Sequence, residues 1–139
     1  MAMEALGRVV NVVPIAAGVA LSMKECGGIA FVVTGSDTFT FTVSDSYGGS
    51  YTSPGTVIDH WYKSTSTAGA ALWTKVAITA ADAVATGGAY AGVIHFHNVF
   101  LPDPDCYVKL TASGSGLVTA IMYDLNYQRD PVRLTIPAA

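Results

Sequence analysis

Charge is scarce in this chain. Of its 139 residues, seven are Lys or Arg and ten are Asp or Glu, 12% in all, about half of the ~25% usual for soluble domains. The seven cations are scattered. Without a basic patch to displace counterions from phosphate, the chain is not expected to bind DNA or RNA directly. Long apolar runs are missing too: no stretch reaches the ~18 uninterrupted apolar residues of a membrane helix, so no membrane partner is expected. Neither Gly27-Gly28 nor Gly87-Gly88 is followed by the Gly-Lys-Ser/Thr of a phosphate loop, and no Gly-x-Ser-x-Gly elbow is present. There are only two cysteines, Cys26 and Cys106. With no secretion signal read in the chain, they are expected to be free thiols, although spacing alone leaves a disulfide open.

What the chain does have is apolar mass. Hydrophobic residues make up 51%, and with so little charge this excess has to be covered. One domain spanning 1–139 is long enough for a core. Burial between subunits accounts for the remainder, because obligate interfaces resemble a cut core. A homo-oligomer is therefore expected. Residues 9–23 are apolar and small, as in a signal peptide, but Glu4 weakens the basic region and Asn11 and Pro14 interrupt the run. This segment reads as mature protein, an N-terminal arm or first strands over 1–23.

Period-two alternation dominates the rest. Phe39, Phe41 and Val43 alternate with Thr38, Thr40, Thr42 and Ser44, a half-buried strand with a hydroxyl-rich outer face. Residues 29–33, 56–64, 71–78 and 89–101 read as further strands, the last bent at Gly92. Residues 107–128 read as a central hairpin turning at Ser113-Gly114-Ser115-Gly116, its second strand covered on both faces. Residues 79–86 permit at most two turns of helix, opened by a cap-like Thr79 and stopped by Gly87-Gly88. Pro131 and Pro137 bar a helix at the end, leaving 129–139 as an extended C-terminal arm. Eight to ten short strands with little helix give an all-β fold, an antiparallel sandwich or jelly roll.

Candidate chemistry is thin. His95 and His97, two apart on a strand, share a face and could ligate a metal, with His60 as a third ligand if its strand is a neighbour. The glutamate that a cupin-like metalloprotein would place soon after them is absent, so ordinary strand histidines are the better reading and no metal or cofactor is assigned. Asp59-His60 lacks the rest of a triad, Asp103 and Asp105 lack a third cation ligand, and no enzyme is expected. Trp61, Tyr62, Trp73 and Tyr90 could stack on sugars, as in a tail or baseplate carbohydrate-binding module, but core packing explains such aromatics as well. Val9, Val10, Val12 and Val13 in the first arm, and Val132, Leu134 and Ile136 in the last, are interface candidates. Tyr47 and Tyr51 either form a contact loop or pack back on the sheet.

A diffuse pattern over 27–128 resembles the small β-rich head proteins of tailed bacteriophages, the capsid decoration or minor capsid class. It is carried by the strands between Ile29 and Val43, the Trp61-Tyr62 strand and Leu72-Trp73-Thr74-Lys75-Val76. An aspartate-proline turn then precedes Cys106-Tyr107-Val108-Lys109-Leu110-Thr111, and a last strand ends in Tyr123-Asp124 and Tyr127. The resemblance implies a virion structural protein, commonly a homotrimer on the outer capsid surface with the major capsid protein as partner. It transfers no catalytic residue.

Overall fold

The alternation resolves into ten strands among the described residues of the computed structural model, which describes 5–7, 9–15, 18–55, 58–78, 83–85, 90–97 and 106–126. In chain order these are β1 (Val10–Ile15), β2 (Ala20–Ser22), β3 (Cys26–Gly35), β4 (Thr38–Ser44) and β5 (His60–Ser64). They continue with β6 (Thr74–Ala77), β7 (Ala83–Ala85), β8 (Tyr90–His97), β9 (Tyr107–Ala112) and β10 (Leu117–Leu125). Sheet A runs β1-β10-β3-β8-β5-β6 and sheet B runs β2-β9-β4-β7. Setting aside the β5–β6 hairpin, the pairs are β1 with β10, β2 with β9, β3 with β8 and β4 with β7, all antiparallel. That is one long hairpin rolled up. Pairing of β10 with β3 and of β9 with β4 closes the roll, which is the jelly-roll topology.

The core lies between the sheets. Phe31, Ile29 and Val33 of β3, Ile94 and Phe96 of β8, and Ala120 and Met122 of β10 meet Phe39, Phe41 and Val43 of β4 and Val108 and Leu110 of β9. Phe41 is edge-on to Phe31 at 5.8 Å between centroids and tilted against Phe96 at 5.9 Å, so one ring bridges the two sheets. Cys26 and Cys106 are free thiols, and burial followed by the neighbouring Glu25 pushes the Cys26 thiol up to about 12.

Four expectations change. The segment 107–128 is no hairpin, because β9 belongs to sheet B and β10 to sheet A. The chain arches between the layers at 113–116, beside the 35–37 arch from β3 to β4. Asp37 ties the arches together: it accepts the Thr38 N–H at 2.8 Å, the Gly114 N–H at 2.9 Å, the Gly116 N–H at 2.8 Å and the Ser113 hydroxyl. These bonds, the Ser113 bond first, hold its carboxyl down at about 2. Second, β10 has one covered face, not two: Val118, Ala120 and Met122 point into the core and Leu117 is exposed. Third, 83–85 form a strand on β4, where a helical turn was expected; residues 79–82 lie outside the described residues. Fourth, Val13, expected at an interface, is buried in the core and leaves the interface set; the segment that carries it, expected as an arm or first strands, pairs with β10 as β1.

Candidate functional site

The outer face of sheet A collects every histidine of the chain. Register places Val10, Tyr123, Gly28 and His97 in one cross-strand row, and Val12, Ile121, Ala30 and His95 in the next. A third row runs Pro14, Thr119, Val32, Val93, Tyr62 and Lys75. His60 lies two residues from Tyr62 on β5 and so shares its face. In the three rows the only Lys, Arg, Asp or Glu is Lys75, at the far edge. Val12 and Tyr62 are 40% and 42% exposed, and Leu117, on the same face of β10, is 71% exposed. This face is apolar and faces water.

A missing side chain organises its middle. The Tyr123 ring lies across Gly28, where an added Cβ would collide with its hydroxyl end. Crossing β3 there brings Tyr123 onto β8: its ring stacks on His95 at 5.4 Å, and its hydroxyl shares a hydrogen bond with His95 Nε2. His95 and His97 have centroids 6.1 Å apart. Partial burial, and then the imidazoles of His97 and His60, lower the His95 pKa from the usual histidine value, favouring the neutral ring.

At the β5 side, His60 Nδ1 meets Asp59 Oδ1 at 2.5 Å, and the Asp59 carboxyl is held below its ordinary range mainly by that bond. Between β5 and β8 a cavity of about 90 Å³ is lined by Asp59, His60, Tyr62, Val93 and His95 among others. That volume holds a few waters and falls well short of the ~300 Å³ of a small-molecule site.

The three-histidine reading is thus half met. β5 and β8 are neighbours and the histidines share a face. Yet among the described residues no three His, Cys, Asp or Glu side chains converge on a point where a metal could sit. Of the proposed sugar platforms, Trp61 is a core residue at 4% exposure, whereas Trp73 is 52% exposed near the β6 edge. The side chain of Tyr90 lies outside the described residues, as do Asp103, Asp105, Val132, Leu134 and Ile136.

The tyrosine loop folds back on sheet B. Tyr47 meets the Tyr107 ring edge-on at 6.1 Å, the Tyr51 hydroxyl donates to the Tyr47 carbonyl at 2.8 Å, and Lys109 Nζ sits 4.0 Å from the Tyr51 ring centroid. Tyr47 keeps 43% exposure. Val9 is also exposed, and Val10 is half-buried. Comparison with protein-family models, with curated proteins and with solved structures finds no match to this chain.

Sequence reasoning named the histidines but missed Tyr123 and Gly28 as their partners. The available signal was weak: Tyr123 falls on the outward parity of a strand otherwise rich in apolar residues.

Proposed function

We propose that this chain is a non-enzymatic structural subunit of a tailed-phage head, a decoration protein seated on the outer capsid surface. One observation carries the reading: the outer face of sheet A is apolar and almost free of charge from β1 to β5. Monomeric proteins rarely leave an apolar patch beyond a few hundred Å² in water. A subunit of a shell or a trimer has such a face covered by its neighbours. The opposite face, with Thr40, Thr42, Thr111 and Lys109 outward, has the polar character of a solvated surface. The jelly roll itself is compatible with capsid, lectin and cupin roles, so fold alone does not choose. Lack of a convergent ligand set among the described residues weighs against the metalloprotein, and burial of Trp61 weakens the sugar platform.

The test is co-sedimentation with shells of the major capsid protein, alongside solution mass by light scattering. Val12→Glu places a charge on an exposed position of the face without entering the core. Combined with Leu117→Glu, it is expected to abolish shell binding while the variant stays folded by circular dichroism. Shell binding equal to wild type would overturn the reading.

A further inference from the structure

We infer that the outer face of sheet A closes against a second copy of this chain, and that His60, His95 and His97 make this closure pH-dependent, tight at neutral pH and released in acid. This rests on the reading of that face as a surface covered in the assembly and names its occupant and its control: the covering neighbour is another copy of this chain, so the effect of Val12→Glu with Leu117→Glu on shell binding runs through loss of that pair.

The first argument is size. Six strands at ~4.8 Å spacing span about 24 Å, and six rises of ~3.3 Å along β10 give about 20 Å, so the footprint is about 480 Å² per copy. Two copies together bury about 1,000 Å², the lower end of specific interfaces. An interface this small is reversible, and a few charges suffice to open it.

The second argument is charge. The groups facing His95 are Tyr123 on β10, with Asp124 at that strand's end, and His97 on β8. From β5 come Asp59, His60 and Tyr62, and from β6 comes Lys75; β3 offers only Gly28, Ala30 and Val32. With neutral imidazoles the Val10 and Val12 rows hold no fixed charge and Lys75 lies at the far edge of the third, so the middle of two identical faces meets without like-charge opposition. Four of the polar groups buried by closure already have partners on their own subunit. Tyr123 is bonded to His95, and Asp59 to His60.

Acid reverses this. Protonating His95 and His97 places two cations in an apolar layer, where desolvation of a charge is costly. The carboxylate beside them, Asp59, is engaged by His60. The closed pair therefore favours neutral rings, and separation takes up protons. Partial burial already lowers the His95 pKa in the single subunit, which moves release toward more acid pH; closure must lower it further for the switch to work.

Sedimentation velocity at fixed ionic strength, from pH 8 to pH 5, tests this, with near-ultraviolet circular dichroism at each pH to confirm folding. Wild type is expected to weaken as the pH falls across this range, by ~10-fold per pH unit for each proton taken up on separation. The double variant His95→Gln with His97→Gln is expected to associate with a much flatter pH dependence. Association that does not change with pH overturns the switch and leaves the docking face standing. A monomer at every pH, at concentrations up to millimolar, overturns both. Release of the double variant in step with wild type, or loss of the folded signal together with mass, also overturns the switch.

Discussion

Gly92 interrupts β8 with no side chain, and the structure gives a reason that can be tested. Its position is regular in the ladder, opposite Val33 on β3 and Lys63 on β5, so no bend is needed to explain it. What needs the space is Trp61. A Cβ built on Gly92 would sit 2.7 Å from Trp61 Cζ3, 3.0 Å from Cε3 and 3.0 Å from Val33 Cγ2. Carbon contacts are optimal near ~3.5–4.0 Å, so the methyl of Gly92→Ala must push a buried indole or a buried valine aside. Overpacking of this kind costs about 1–3 kcal/mol. Against it stands a gain of about 0.4–1 kcal/mol from a stiffer unfolded chain. The net expectation is a loss of about 1–2 kcal/mol, or a Tm lower by roughly 3–8 °C for a chain of this size. Urea unfolding followed by circular dichroism should show a lower midpoint at unchanged slope. Trp61→Phe in the same background should recover part of the loss, with a coupling of about 0.5 kcal/mol or more. A Gly92→Ala protein as stable as wild type would refute the placement of the indole over Gly92. It would also refute the wall that Trp61 makes for the small cavity beside His60 and His95.

Two other outcomes follow from the arches and the tail. Asp37→Asn should lower the Tm at pH 7, because a carboxylate that accepts four hydrogen bonds across two arches becomes an amide with one acceptor oxygen. The sign in pH follows from the depressed carboxyl: its contribution is complete above about 4 and fades as the pH falls through about 2. The Tm difference between wild type and Asp37→Asn should therefore shrink over that window, and a constant difference down to pH 2 would remove ionisation as its cause. On the proposed assembly, deleting 129–139 should weaken the oligomer or its hold on capsid shells, read as mass and as particle survival on heating; unchanged assembly would show that the C-terminal arm holds no neighbour.

Much of the sandwich was legible because burial follows parity. Phe39, Phe41 and Val43 could be assigned to the core from alternation alone, and they fill it. Where both parities are apolar, the rule loses its grip. In β1 the set Val10, Val12, Pro14 points out and the set Asn11, Val13, Ile15 points in, and hydrophobicity cannot tell them apart, so Val13 was counted as surface. The small-residue turn at 113–116 suits a hairpin as well as an arch. What decides is Asp37, 77 residues before Gly114 in sequence, which takes the turn's N–H groups onto the other arch. Pairing of His95 with His97 was a matter of spacing and was readable. Pairing of His95 with Tyr123 required the order β10-β3-β8 and a glycine on the middle strand, neither of which local pattern contains.

The asymmetry between the two outer faces is the feature that fold stability leaves unexplained. Both sheets need only their inner residues to close the core. Sheet B then spends its outward positions on Thr38, Thr40, Thr42, Lys109 and Thr111, side chains that hydrate well. Sheet A spends the equivalent positions on Val10, Val12, Ile121, Val32 and Val93, which gain nothing from water and carry the aggregation hazard of any broad apolar surface. β-branched side chains do favour strands, but threonine offers that preference as well as valine does, as β4 demonstrates. Strand propensity therefore does not account for valine on one side and threonine on the other. The proposed partner for sheet A would account for it, and that proposal sets a direction: sheet A toward the neighbour, sheet B with its tyrosine loop toward solvent. A charged substitution at Thr40 or Thr111 should then leave assembly intact under conditions where Val12→Glu abolishes it.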